Sequence, residues 1–194
     1  MIRKIAALSL SSIIFFFISG VAFAHTGLYV SGLDAGLMHP LDGADHLLAM
    51  MAVGLWAAQN GGRKILLLPA TFMLSLAIGA NIAIAYPSLP LVELVIAVSV
   101  LMLGVFTTLS LKLPVLLCVT ITGCFGFLHG YVHGLEMPDA TEPAAYAAGF
   151  VSTTFALHLT GILIGMIARR RFDRLARVLG TTIAASGLWM LFQL

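Results

Sequence analysis

The chain has 194 residues, of which 60% are hydrophobic and only 9% are charged. Soluble domains carry about 25% charged residues, so this composition excludes an ordinary soluble globule. The mean hydropathy of +1.06 also excludes a disordered chain. The formal net charge is +2 and the bases form no extended patch, which argues against nucleic-acid binding. The composition instead predicts an all-α, polytopic membrane protein.

The first 24 residues have the three regions of a secretory signal peptide. The start is basic, an apolar stretch follows, and Ala22-Phe23-Ala24 supplies the small residues that signal peptidase requires. We therefore expect cleavage after this tripeptide, with an uncleaved anchor as the alternative. Cleavage leaves 25–194 as a single transmembrane domain, and His25 becomes the mature N-terminus on the outer side of a bacterial membrane.

Six apolar segments follow this signal, each of a length that suits a membrane-spanning helix. Short polar connections separate them, and no internal repeat is evident. The sequence therefore predicts six transmembrane helices after the signal peptide. Their predicted bounds are 38–58, 64–86, 89–109, 113–136, 144–168 and 174–193.

The basic residues favour one orientation of these six spans. Lys and Arg are enriched in cytoplasmic connections, and with an outer N-terminus every basic residue of the mature chain falls on the cytoplasmic side. Seven of the eight acidic residues then lie in the outer half, where they attract cations. We therefore expect a multi-pass protein of the bacterial inner membrane with both mature termini periplasmic.

Histidines and carboxylates gather in the first predicted span, although ionisable groups inside a membrane helix are costly. The residues are His39, Asp42, Asp45 and His46. On a continuous helix, His39 and His46 differ by about 20° and Asp42 falls about 60° from His39, so all three share a broad face. Asp45 lies about 120° away, where it faces a neighbouring helix or orients a ligating imidazole.

A second cluster lies in the fourth predicted span. His129, His133 and Glu136 have spacings of four and three residues, which place them on one stripe of a helix. The predicted orientation puts this stripe and the first cluster in the outer half of the membrane, within about 10 Å of each other in depth.

Imidazole with carboxylate is a ligand set for divalent first-row metals such as Ni, Co or Zn, and it suits hard Mg or Ca less well. A single buried histidine is more commonly a packing residue with a hydrogen bond. Four histidines with three carboxylates at one depth favour a metal site. Gly126, Gly130 and Gly134 form a small-residue pattern that lets membrane helices approach closely, and we expect it to bring the fourth span against the first.

Three further residues are candidates for secondary contacts with a metal. His158 lies roughly 21 Å below the outer end of the fifth span, either as a deeper station or as a histidine bonded to a neighbouring helix. Glu93, near the outer end of the third span, is explained by interfacial location or by metal contact. His25 as a mature N-terminus offers an α-amine and an imidazole that together chelate a metal, or is a flexible terminal histidine.

Two motifs carry a resemblance to a known family. HPLDGADHLLAMMAVGLWA at 39–57 resembles the signature of the HupE/UreJ family of nickel/cobalt permeases, and GFLHGYVHGLEMP at 126–138 resembles its second histidine-rich motif. The segment 156–162 is similar to the fifth-helix pattern of that family, so the resemblance covers essentially the whole mature chain. The first motif is also similar to the HxxxxDH motif of a broader nickel/cobalt transporter group, but its spacing is one residue longer.

The resemblance implies uptake of Ni²⁺, or of Co²⁺, for hydrogenase or urease maturation, with an indirect link to the metallochaperones of those enzymes. It also implies which residues bind the metal. The motif positions are His39, Asp42, Asp45, His46, His129, His133 and Glu136.

We therefore predict a permease and not an enzyme, with no permanently bound cofactor and with the lipid bilayer and the transported ion as partners. No P-loop is present in the sequence, so we expect no nucleotide and no nucleic acid as partners. One alternative is a membrane-embedded zinc-dependent hydrolase that holds a water molecule on the same cluster. Another is a metal sensor or storage protein, which binds metal without raising the metal content of the cell.

Overall fold

A computed structural model describes residues 31–87, 91–136, 142–171 and 173–194, without the side chains of residues 170, 171 and 173. The predicted signal peptide and His25 lie outside these residues. Within them all regular secondary structure is α-helical, which confirms the predicted all-α class. The helices are α1 (Gly32–Asp42), α2 (Ala44–Asn60), α3 (Lys64–Ala85), α4 (Val92–Thr108), α5 (Val115–Glu136), α6 (Pro143–Arg171) and α7 (Asp173–Leu191).

The first predicted span is interrupted. The sequence predicts one helix over 38–58, whereas the structure has α1 and α2 joined at Gly43, whose backbone is extended with φ −97° and ψ 117°. Pro40 has no N–H for the last turn of α1, and glycine is a poor helix former, so helix propensity is lowest around this point. The prediction of a continuous helix was wrong, and so was the angular relation it gave between His39 and His46.

The five later helices begin and end within three residues of their predicted bounds. Among the described residues, three helices are long and apolar enough to cross a membrane: Lys64–Ala85, Val115–Glu136 and Pro143–Arg169. Val92–Thr108 is a shorter apolar helix. These helices identify a membrane protein, and the number of six spans stays a prediction.

Helix α2 lies at the centre of the bundle. It packs against α3, α4 and α6, and Met50, Val53 and Trp56 are fully buried. Two side chains fix its C-terminal end to α4 and the connection that follows it. Trp56 Nε1 donates to the Leu111 carbonyl over 2.8 Å, and Gln59 Nε2 donates to the Thr107 carbonyl over 2.8 Å. These bonds attach the C-terminal end of α2, and the histidine cluster lies at its opposite end.

Glycines set the closest helix contacts. A Cβ atom added at Gly126, Gly130 or Gly134 of α5 would collide with the backbone of successive turns of α3. The stripe therefore packs α5 on the second predicted span, and the expectation that it would face the first span was wrong. A small-residue stripe says that a face allows close approach but does not identify the helix that packs there. Gly54 and Gly161 bring α2 and α6 together in the same way.

Hydrogen bonds between side chains and backbone show which helix ends lie together at each end of the bundle. Lys64 Nζ donates to the Leu113 carbonyl, and Arg169 Nη1 donates to the Ala58 carbonyl over 2.8 Å, so these basic residues share one end. At the other end, which carries His39 and Glu136, the hydroxyl of the α5 residue Tyr131 donates to the carbonyl at the end of α3. The basic connections therefore lie at one end of the bundle and the histidine cluster lies at the other, as the predicted orientation requires.

We predict that Gly130→Ala destabilises the protein by about 1–3 kcal/mol, because the added methyl group overlaps the α3 backbone at Leu76. Thermal unfolding in detergent measures the effect. Gly123→Ala is the matched control on the same helix, since its Cβ would lie 3.3 Å from the movable Ser75 hydroxyl. Equal unfolding temperatures for the two variants would contradict the close packing of α5 on α3.

Candidate metal site

Four imidazole rings form a line where α1 and α2 meet α5. The ring centroids of His39 and His133 are 4.8 Å apart, those of His133 and His46 are 3.9 Å apart, and those of His46 and His129 are 5.4 Å apart. The side chain of His39 is 21% exposed, whereas His129 is fully buried. The line therefore leads from the edge of the protein into its interior.

An outer group consists of His39, His133 and Glu136. His39 Nε2 lies 3.2 Å from Glu136 Oε2, and His133 Nδ1 lies 3.8 Å from the same oxygen. One ligand atom from each residue falls within 4.8 Å of the other two. Nitrogen and oxygen ligands bind Zn²⁺ at roughly 2.0–2.2 Å, so two ligands of one ion can lie about 4 Å apart or less. In this part of the cluster a carboxylate lies beside two imidazoles, a set of groups that could hold a metal ion.

His46 is oriented by the carboxylate that precedes it. Asp45 Oδ1 lies 2.6 Å from His46 Nδ1 and accepts the backbone N–H of His46 over 2.9 Å. Because a carboxylate only accepts, the neutral form of this ring carries its proton on Nδ1 and has its lone pair on Nε2. Nε2 is buried and has no hydrogen-bond partner among the described residues. A carboxylate bonded to the far nitrogen of an imidazole is the usual support of a metal-ligating histidine.

Gly43 leaves the space that this pair occupies. A Cβ atom at this position would lie 2.8 Å from Asp45 Oδ1 and 3.0 Å from His46 Nδ1. The residue that interrupts the first span therefore also makes room for the Asp45–His46 pair. Interrupted helices that expose backbone near a cluster of ligands are characteristic of binding sites in membrane transporters.

Buried ring nitrogens without protein partners concentrate in this cluster. Both nitrogens of His133 and Nδ1 of His129 are buried and make no hydrogen bond with any residue in the described ranges. Leaving a buried polar atom unsatisfied costs about 1–3 kcal/mol, so packing histidines normally find partners. Several such lone pairs side by side suit a place where a cation binds.

Two predicted carboxylates lie apart from the outer group. Asp42 is the last residue of α1 and is exposed, and the group of ligand atoms within 4.8 Å does not include it. Glu93 is exposed in the first turn of α4 and forms no ion pair with a residue that the structure describes. The break at Gly43 removes the common helical face on which the prediction for Asp42 depended.

His158 lies deeper, on α6. Its side chain is buried, and Nδ1 donates to the Thr154 carbonyl over 2.8 Å. Nε2 is buried without a hydrogen-bond partner in the described part of the chain. The Phe72 ring of α3 lies 5.6 Å from His129 and 5.2 Å from His158, so a single phenyl ring bridges the cluster and this histidine.

Sequence reasoning missed two side chains of the site. The hydroxyl of Ser99 on α4 lies 2.7 Å from His129 Nε2, and the Phe150 ring of α6 packs 4.3 Å from His133. The only signal for Ser99 is a hydroxyl in the apolar middle of the third predicted span. Phe150 gives no signal, because a phenylalanine in an apolar helix is expected at any position.

Comparison with known proteins gives one consistent relationship. A family model described as HupE / UreJ protein matches residues 13–190. The chain is 39% identical to Protein HupE of Rhizobium leguminosarum bv. viciae over 191 residues, which cover 96% of this chain and 94% of that protein. No solved structure gives a significant match. The similarity therefore extends from the two histidine motifs to nearly the whole chain.

We predict that Asp45→Ala weakens Ni²⁺ binding by about 10–100-fold, the usual cost of losing the partner of a ligating imidazole. Asp45→Asn should lose less affinity for Ni²⁺, since its amide oxygen can still accept a hydrogen bond from His46 Nδ1. Isothermal titration of the purified protein with Ni²⁺ measures both.

The matched control is Asp34→Asn, because Asp34 is an exposed carboxylate on α1 whose side chain accepts a hydrogen bond from Ser31. Its affinity for Ni²⁺ should equal that of the wild type. An unchanged affinity in Asp45→Ala would sink the role given to the Asp45–His46 pair.

Proposed function

Because the chain belongs to the HupE/UreJ family, we propose that it is a permease that carries divalent transition-metal ions into the cell. Ni²⁺ is the proposed main cargo and Co²⁺ the alternative. The family is related to nickel and cobalt transport, so the general class of function follows from membership. The observation that supports this particular mechanism is the line of four imidazoles that runs from partly exposed His39 to buried His129.

A line of partial sites suits transport better than one closed site. The ring of His133 is 4.8 Å from His39 and 3.9 Å from His46, so it belongs to both the outer and the inner part of the cluster. An ion can therefore exchange ligands one at a time as it moves inward. Conduction requires sites that bind strongly enough to admit an ion and weakly enough to release it.

The ligand types favour a first-row transition metal. The inner part of the line offers imidazole nitrogen, with Asp45 bonded to His46 instead of facing an ion directly. Hard ions such as Mg²⁺ and Ca²⁺ prefer oxygen ligands, whereas Ni²⁺ and Co²⁺ accept nitrogen. We assign direct contact with the ion to His39, His46, His129, His133 and Glu136.

Beyond His129 the path meets Phe72 and then His158. The ring of Phe72 separates the two histidines, and Nε2 of His158 is a buried nitrogen without a partner in the described ranges. We assign His158 as a second, deeper station. Asp42, Glu93 and the predicted mature terminus at His25 are assigned to capture of the ion outside the cluster.

The proposed orientation places the His39 end of the bundle outside and the end with Lys64 and Arg169 in the cytoplasm, in line with the distribution of basic residues. The interrupted pair α1 and α2 then makes the first of six spans in the bacterial inner membrane. A cleaved signal peptide leaves both mature termini in the periplasm. The imported ion reaches hydrogenase or urease indirectly, through the metallochaperones of those enzymes.

We predict that His46→Ala abolishes most Ni²⁺ accumulation, with a loss of about tenfold or more, because His46 is the link between His133 and His129. The measurement is ⁶³Ni²⁺ uptake in cells that lack their own nickel importer, normalised to the amount of protein in the membrane. Asn81→Ala is the control, since Asn81 is exposed on α3 and its side-chain amide donates to the Ala77 carbonyl of the preceding turn.

Normal accumulation in His46→Ala would rule out the permease proposal. The same assay distinguishes the permease from a zinc-dependent hydrolase that uses the same cluster and from a sensor or storage protein. Neither would raise the nickel content of cells that produce the wild-type protein above that of empty cells.

We predict that His158→Leu separates binding from transport. The outer group and the inner imidazoles are unaltered, so the purified variant should bind Ni²⁺ as tightly as the wild type. The maximal rate of uptake should fall several-fold, because the deeper station is lost. A wild-type rate of uptake in this variant would show that His158 is a packing residue bonded to Thr154.

A further inference from the structure

Ser99 provides the hydroxyl through which α4 contacts the line of histidines. Its side chain is fully buried, and its Oγ lies 2.7 Å from the Ile96 carbonyl oxygen and 2.7 Å from His129 Nε2. The first contact stays within α4, whereas the second joins α4 to α5. Neither histidine motif of the sequence includes this residue.

The two contacts allow one arrangement of protons in which both are hydrogen bonds. A serine hydroxyl has a single hydrogen to donate, and the Ile96 carbonyl can only accept. The hydroxyl therefore donates to Ile96 and accepts from Nε2 of His129. It follows that the proton of the neutral His129 ring is on Nε2 and that Nδ1 keeps its lone pair.

The second ring nitrogen of His129, Nδ1, is buried and makes no hydrogen bond with the residues that the structure describes. Two rings lie nearby, with centroids 5.4 Å away at His46 and 5.6 Å away at Phe72. Of these two rings only His46 carries polar atoms, and its own free nitrogen is likewise buried and unpartnered.

We propose that Ser99 is a positioning residue for metal transport, which accepts the Nε2 proton of His129 and thereby presents Nδ1 of that ring to the ion. The proposal rests on the proposed function and gives His129 the kind of support that Asp45 gives His46. The two supports differ in charge. A carboxylate makes the imidazole it supports a stronger ligand than a neutral hydroxyl does, so His129 holds the ion less tightly than His46 and releases it inward.

The first test reads the position of the proton without any transport. Histidine is labelled with ¹⁵N in the full-length protein, metal-free and in nanodiscs, at a pH where His129 is neutral. The His129 signals are identified by their loss in His129→Gln. Wild type should show one tautomer with the proton on Nε2, and Ser99→Ala should show a mixture of both.

The second test reads transport. Ser99→Ala should lower the maximal rate of ⁶³Ni²⁺ uptake about tenfold with little change in KM, because the outer group of His39, His133 and Glu136 is intact. Ser99→Thr keeps the hydroxyl and should recover most of the rate. Ser99→Cys keeps the size but has a weak acceptor, so it should resemble Ser99→Ala.

Ser152→Ala is the matched control, since Ser152 donates to the preceding turn of α6 over 2.7 Å but is exposed. It should transport as the wild type does. All variants are compared at equal membrane content, and their unfolding temperatures are measured.

Three results would overturn the role of Ser99. The first is a wild-type His129 ring with its proton on Nδ1. The second is a wild-type rate of uptake in Ser99→Ala. The third is a loss of uptake in all Ser99 variants, Ser99→Thr included, that is matched by an equal fall in their unfolding temperatures. If the wild-type protein transports no Ni²⁺, the proposed function fails instead. The tautomer measurement distinguishes these failures, because it does not involve a metal.

Discussion

The contact between Asp45 and His46 at the start of α2 is the interaction on which the rest of the site depends. It fixes the proton of His46 on Nδ1, over 2.6 Å, and leaves Nε2 free beside His133 and His129. Gly43, where the helix restarts, makes room for this contact, because a Cβ atom there would lie 2.8 Å from Asp45 Oδ1. Near its other end, α2 is hydrogen-bonded by Trp56 to the Leu111 carbonyl in the connection after α4.

The site places polar nitrogen atoms in an apolar bundle, where unsatisfied groups are destabilising. The close glycine contacts between α3 and α5 and between α2 and α6 bring the backbones together and provide packing that offsets this cost. A cation bound by the free lone pairs would remove the cost for as long as it stays. In the proposed transport the ion must also leave, so its binding has to be weak enough to permit release.

Much of this arrangement could be predicted from the sequence. Apolar segments of about 20 residues gave five helices close to their observed bounds, because that signal is summed over many residues. The same summation hid the one-residue break at Gly43, which separates His39 and Asp42 on α1 from His46 on α2. The glycine stripe identified a close contact but not its partner α3. Ser99 was missed because its contact with His129 joins residues 30 positions apart, which no local pattern reveals.

The central claim is that Ni²⁺ crosses the membrane along the line of imidazoles, and His133 is the residue common to its outer and inner parts. Purified protein reconstituted in liposomes that contain a Ni²⁺-quenched fluorophore measures this passage directly. The account predicts time-dependent quenching with the wild type and none above empty liposomes with His133→Ala. Equal quenching by the two proteins, or none by the wild type, would contradict it.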